Sequence, residues 1–207
     1  MSEIPISILI GLLTGILTAL IAWWILFHCI IPRIHFSSSI SKTPTQDDKS
    51  GYRYRFKLEN AGRRSIIDVE LMARLRIKGL LADYPTNWEV INIPLGANGR
   101  RYKIPRILPI RRRRVRYIMR LYVNRVNEFR EPIYPEHIRR KAEKQSLLLE
   151  DILSLGSQAT LQIHAFGYDE FSGARKLFIS KFYTIHDIKE GPFEEKGLDV
   201  QELTIPE

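Results

Sequence analysis

Apolar side chains follow two different rhythms along this chain, and the change between them falls near Pro32. From residue 4 to residue 31 there is no Lys, Arg, Asp or Glu, and most side chains are aliphatic or aromatic. Such a run predicts a membrane-spanning helix, because about 20 apolar residues rising 1.5 Å each cross roughly 30 Å of hydrocarbon. Trp23, Trp24 and Phe27 stand near its C-terminal end, where aromatic rings favour the boundary between lipid and water. They leave residues 4–22 as the spanning core. A cleaved secretory signal describes the segment less well, since Met1-Ser2-Glu3 is not a cationic start and the apolar run is too long. A core helix of a soluble protein would show a polar face, and this one shows almost none.

Beyond Pro32 the rhythm shortens to two residues. Tyr52, Tyr54, Phe56 and Leu58 alternate with Arg53, Arg55, Lys57 and Glu59, and Val69, Leu71, Ala73, Leu75 and Ile77 repeat the alternation against Asp68, Glu70, Arg74 and Arg76. This is how a strand reads when one face is buried and the other wet. Asn60-Ala61-Gly62 between them supplies turn chemistry and predicts a hairpin. Further strands are expected over residues 88–93, 102–108, 112–124, 159–166 and 175–183, with Gly96-Ala97-Asn98-Gly99 and Ser172-Gly173 as turns, and an earlier one around Ile34, Phe36 and Ile40. One helix interrupts, over about residues 135–155, where Ile138, Ala142, Leu147, Leu148, Ile152 and Leu155 fit helical spacing and Gly156 can end it.

The fold class these elements predict is a single N-terminal transmembrane α-helix followed by a mainly-β soluble domain. That domain is expected to be an antiparallel β-sandwich, immunoglobulin-like in outline, with one inserted helix. The expected organisation is a transmembrane helix at 1–32, a juxtamembrane strand and loop at 33–50, the sandwich at 51–186 and an acidic C-terminal segment at 187–207.

Within the helix, Ser7, Gly11, Gly15 and Ala19 recur every four residues and share a face, with Thr14, Thr18 and Ala22 on an adjoining stripe. Lipid offers apolar surface everywhere, so membrane helices associate through close backbone packing at small residues, and Gly11-Leu-Leu-Thr-Gly15 has the GxxxG form. The helix is therefore expected to self-associate or to pack on a partner helix. Arg33, Lys42 and Lys49 follow it while only Glu3 precedes it, a bias that puts the N-terminus outside and the domain in the cytoplasm. The single cysteine, Cys29, forms no intrachain disulfide and reads as a small hydrophobe at the helix end.

Charge is distributed unevenly. The chain carries +9 in total, yet residues 100–125 hold eleven basic residues and no acidic one, so the remainder sums to −2. Arg111, Arg112, Arg113, Arg114, Arg116 and Arg120 are the candidate anion- or lipid-binding residues. On a strand, Arg112, Arg114, Arg116 and Arg120 share the outer face, with Val115, Tyr117, Met119, Leu121 and Val123 facing inward. Three readings compete: a plain solvated strand face, attraction to anionic lipids at the cytoplasmic surface, and contact with a nucleic acid or nucleotide, which lacks a stacking-aromatic motif to accompany the arginines. Residues 187–207 are acidic, with net charge −5, and form either a solvated tail or a segment that docks on the basic stripe.

Catalytic chemistry has little support. His28, His35, His137, His164 and His186 are scattered, no Cys cluster accompanies them, and there is no nucleophile elbow, phosphate-binding loop or dinucleotide fingerprint. His186-Asp187 and Tyr168-Asp169-Glu170 read as surface polar groups. No metal or cofactor is expected, and a membrane-tethered hydrolase ranks last among the functions weighed. The favoured reading is an integral membrane protein, not an enzyme, homo-oligomeric through its helix, whose cytoplasmic β-domain binds a partner or an anionic surface. The alternative is a membrane-disrupting effector, in which assembly of the soluble domains gathers the helices into a pore lined by Ser7, Thr14, Thr18 and His28.

Overall fold

A computed structural model describes residues 3–26, 30–46, 50–81, 83–96, 102–111, 115–125 and 135–201. Helix α1 (Glu3–Trp24) comes first, then strands β1 (Ile34–Phe36), β2 (Ile40–Pro44), β3 (Tyr52–Asn60), β4 (Ile66–Lys78), β5 (Trp88–Ile93), β6 (Tyr102–Ile107) and β7 (Tyr117–Leu121). Two short helices, α2 (Glu136–Glu143) and α3 (Leu149–Leu153), precede β8 (Gln158–Asp169), β9 (Arg175–Ile179) and β10 (Ile188–Glu190). The product is an apolar N-terminal helix followed by a mainly-β domain with two sheets.

In the first sheet β3 is central. Strand β7 lines one edge of it, while β1 and β2 lie end to end along the other: Leu58 pairs with Phe36 on one side and Tyr117 on the other, and Arg55 with Ser41 and Arg120. The β1 and β2 registers differ by two residues, so residues 37–39 form a kink within what is in effect one broken strand. Beyond β2 lies β10, which pairs with it in parallel, a departure from the wholly antiparallel arrangement that was expected.

The second sheet repeats the device. Strand β8 pairs with β4 over nearly its whole length, and β5 and β6 follow one another along the opposite edge, joined to Ala73–Lys78 partners and Ile66–Leu71 partners respectively. The glycine-bearing stretch after β5 therefore separates two strands that do not pair with each other; residues 97–101 of it lie outside the described residues. Strand β9 completes the sheet, and the Ser172-Gly173 turn joins it to β8 as expected.

Two expectations are corrected. Strands β3 and β4 are not a hairpin: they belong to different sheets, because both edges of each are occupied by other strands. Alternation along one strand shows which face is buried and says nothing of which strand lies beside it. The single helix expected over residues 135–155 is two. Four residues separate Ile138 from Ala142, but five separate Ala142 from Leu147, one too many for a continuing stripe. The chain breaks there, with Gln145 in left-handed backbone (φ +55°) and Leu148 N–H bonded to the Asp151 carboxylate at 3.0 Å, and Gly156 follows α3 in left-handed backbone.

One apolar core joins the two sheets. Tyr54, Phe56 and Leu58 of the first meet Leu71, Ala73, Leu75, Ile77, Leu161 and Ile163 of the second, and Ile138, Leu149 and Ile152 of the short helices belong to the same cluster. The helices lie at the end where β2 finishes and β3 begins, since Glu150 bonds both the Tyr54 hydroxyl and, at 2.8 Å, the Lys42 ammonium. Burial alone would lower the Lys42 pKa, but Glu150 and Glu190 outweigh it and hold the ammonium charged above its ordinary range. The opposite end, at the finish of β3 and β8, adjoins α1.

Candidate membrane-facing site

The window Ser7–Trp24 of α1 has a mean hydropathy of 2.0 and none of it is buried against the domain. A helix apolar on every side and covered by nothing from its own chain is long and apolar enough to cross a membrane. Ser7, Gly11, Gly15 and Ala19 occupy the expected single face, and a Cβ placed on either glycine would meet nothing within 4 Å. The neighbouring hydroxyls are satisfied internally: Thr14 Oγ1 donates to Ile10 O at 2.9 Å, and Thr18 Oγ1 to Thr14 O at 2.8 Å.

Residues that leave the helix are tied directly to the loop after β3. Ala61 N–H donates to Arg33 O at 2.8 Å and Arg63 N–H to Ile31 O at 3.1 Å. Fully buried Asn60 organises this crossing. Its Oδ1 accepts from Arg33 N (3.1 Å) and Gly62 N (3.0 Å), and its amide donates to Arg64 O at 2.7 Å. Gly62 is required by space, since any Cβ would overlap the backbone of Ile31 and Arg33. Asn60 O also accepts from Ile110 N at 2.8 Å, which brings the loop after β6 to the same place.

The turn after β8 supplies the remaining piece. Asp169, 2 % exposed, accepts from Phe171 N and from Ser172 Oγ, and its carboxylate lies 3.4 Å from the Arg64 guanidinium. That guanidinium stacks 4.1 Å from the centre of the Phe171 ring and donates to Leu26 O at 2.6 Å. A cation at a helix C-terminus meets carbonyls that have no partner in the helix and the negative end of its dipole. Leu26, Ile30, Arg63, Arg64, Ser65, Glu170 and Phe171 line an open groove of about 390 Å³. Arg63 is exposed in this lining, Arg33 and Arg111 are exposed on the segments bonded to the same crossing, and Arg106 is paired with Glu170.

The basic block is thereby divided. Arg111 lies at the end adjoining α1; Arg116 just before β7 and Arg120 within it are on the outer face of the first sheet; Arg112, Arg113 and Arg114 lie outside the described residues. Arg116 pairs with Glu59 at 2.7 Å, and Arg120 sits directly opposite Arg55. Of the side chains expected to face inward, Met119, Leu121 and Val123 are buried and Tyr117 is half-buried, but Val115, ahead of the strand, is exposed. Burial, and then the neighbouring Arg53 and Arg120, lower the Arg55 pKa, so three guanidinium groups crowd one patch. Sequence alone does not mark Arg53 and Arg55 as companions of Arg120, because some 65 residues separate them; their alternation with Tyr54 and Phe56 shows only that they share an outer face.

Part of that outer face is covered by the acidic C-terminal segment. Ser41 Oγ donates to Gly191 O at 2.6 Å, Lys57 Nζ to Glu194 O at 2.6 Å and Ser38 Oγ to the Asp199 carboxylate at 2.7 Å, and Phe193 pairs with Val200 above them. Burial and Arg116 lower the Lys57 pKa against the opposing pull of Glu59, Glu194 and Glu195.

His164 is buried on the outer side of β8, with Nε2 3.1 Å from Gln162 Oε1. Asp187 accepts from Thr184 N at 2.7 Å and pairs with Lys181, which uses up the His186-Asp187 carboxylate. A second cleft, of about 490 Å³, lies where β4 bulges at Asp68 (φ +49°) and is lined by Asp68, Glu70, Lys103, Phe166, Tyr168 and Arg175. No group of three metal-ligating side chains occurs among the described residues. No protein-family model matches the chain, and no curated protein is significantly similar to it.

Proposed function

We propose that this chain is a single-pass membrane protein whose β-domain is a non-enzymatic binding module, held in the cytoplasm by an N-terminus-out helix that self-associates through Ser7, Gly11, Gly15 and Ala19. The observation that carries the proposal is the helix itself. Its 18-residue apolar window is unburied and its two in-register glycines are open to a neighbouring backbone. Support for an immunoglobulin-like sandwich comes from strand order: β7, β3 and β1/β2 side by side in one sheet, and β5/β6, β4, β8 and β9 in the other, match the relative positions of strands E, B, A and C′, C, F, G in that fold. Support for a cytoplasmic domain comes from Arg33, Lys42 and Lys49, the basic residues that follow the apolar run most closely in sequence. A pore is the weaker reading, because the Thr14 and Thr18 hydroxyls bond their own helix and offer water little.

Two experiments test this. Full-length protein is expected to stay with membranes through alkaline carbonate and to expose a C-terminal tag to protease only after cell lysis; a tag digested in intact cells reverses the topology. Gly11→Leu and Gly15→Leu are expected to lower crosslinked dimer in bilayers at least tenfold while insertion is unchanged, and unaltered crosslinking would remove the helix face from the proposal.

A further inference from the structure

We infer that the end of the domain beneath the helix is a docking surface for anionic phospholipid headgroups, with Arg33, Arg63 and Arg111 on the phosphates and the Phe171 ring entering the headgroup layer. The inference rests on the membrane-anchored reading, which places lipid as the occupant. Residues 30–33 leave the span and are at once hydrogen-bonded into residues 60–63, so this end stays within a few residues of the bilayer whatever tilt the helix takes. Three separate chain segments bring exposed arginines there: Arg33 and Arg63 through the Asn60 crossing, Arg111 through the bond from Ile110 N to Asn60 O.

The two carboxylates of the turn after β8 are already engaged, Asp169 with Arg64 and Glu170 with Arg106. Among the described residues no ion pair neutralises Arg33, Arg63 or Arg111, so the surface facing the leaflet is cationic. Guanidinium forks suit phosphate oxygens, and basic side chains at an anionic leaflet are attracted by its surface potential. Phe171 adds the apolar element. Its ring is 62 % exposed yet held in place, by its own N–H on Asp169 and by the Arg64 guanidinium over its face. A fixed exposed aromatic ring flanked by arginines is suited to an interface that is charged outside and apolar beneath. Arg63 lines an open groove and not an enclosed cavity, which fits an extended headgroup layer better than a single soluble phosphate compound.

The test uses full-length protein in nanodiscs of phosphatidylcholine alone and with about 30 % phosphatidylglycerol, read by hydrogen exchange of the amides at 61–65 and 170–174. Exchange is expected to slow in the anionic discs and to recover in about 1 M salt, where screening reaches only about 3 Å. The variant Arg33→Gln/Arg63→Gln/Arg111→Gln is expected to lose roughly fivefold of the docked-to-free ratio per arginine, the ratio that ~1 kcal/mol per basic residue produces. Lysine at the same three positions is expected to retain most of the protection, and Phe171→Ala to lower it in both lipids.

Equal exchange in the two discs by embedded protein overturns the inference and leaves the anchored reading standing, as does full protection in the glutamine variant. Inorganic phosphate or single-stranded DNA giving the same protection in phosphatidylcholine discs overturns the assignment to lipid. Protein that fails to enter discs and stays soluble without detergent overturns both readings.

Discussion

Tyr183 shows how one buried hydroxyl can join the two sheets. It is fully buried, pairs through its backbone with Leu161 of the second sheet, and donates from its hydroxyl to Ser37 O in the first at 2.6 Å, while burial pushes its pKa up to about 12. Tyr183→Phe leaves that buried carbonyl without its donor, a loss of about 1–3 kcal/mol. Equilibrium urea unfolding is expected to show it as a lower midpoint at unchanged slope. His164 supplies the pH dependence. Burial first, and then the Arg74 charge on the adjacent strand, lower its pKa, so the folded state disfavours the imidazolium. The unfolded chain takes up that proton near pH 6.5, about the ordinary histidine value, hence stability is complete above that pH and declines as pH falls below it. Unfolding midpoints at neutral and mildly acidic pH are expected to converge in His164→Gln relative to the parent, and an equal acid loss in both proteins would assign the effect to another group.

Elements obey local rules until the chain has a reason to depart from them, and the break between α2 and α3 illustrates this. Gln145 is exposed in left-handed backbone, a conformation glycine adopts without a Cβ penalty. Gln145→Gly is therefore expected to stabilise the domain by about 0.5–1 kcal/mol, equivalent to a rise of roughly 1–4 °C in thermal midpoint. A decrease would mean that the side chain, and not the backbone, holds the break. The β-strands were the most legible elements: residues 88–93 were expected as a strand and form β5 with the same bounds, and 102–108 differs from β6 by one residue. Helix α1 was equally plain, because an apolar run of that length needs no tertiary context to be read. Strand partners were not legible, since β3 and β4 present the same alternation whether they pair with each other or lie in facing sheets.

At the level of the whole molecule, charge is balanced by long-range folding. Residues 191–200 lie over Lys57 and the serines of the β1/β2 kink, although nothing near position 57 in sequence announces an acidic partner some 137 residues away. Truncation after Glu190 uncovers Ser41 and Lys57 and removes Glu194 and Glu195 from the basic face. It is expected to destabilise the domain and to raise its retention on heparin, with a steeper salt dependence. Unchanged retention would show that the segment does not mask this face.

The end adjoining α1 has the same origin. Arg33, Arg63, Arg111, Asp169 and Phe171 belong to four chain segments and became a surface only when Asn60 bound three of those segments together. The run of arginines was visible as a run, but its division between that end and the outer face of β7 was not. Hydrophobic length and two-residue alternation are properties of consecutive residues, which is why the apolar helix and the strand-rich domain could be read directly from residue order. Sheet membership, the parallel β10 and the assembly of distant cations depend on which backbone edges and charges find one another across the folded chain, and only three-dimensional packing sets that competition.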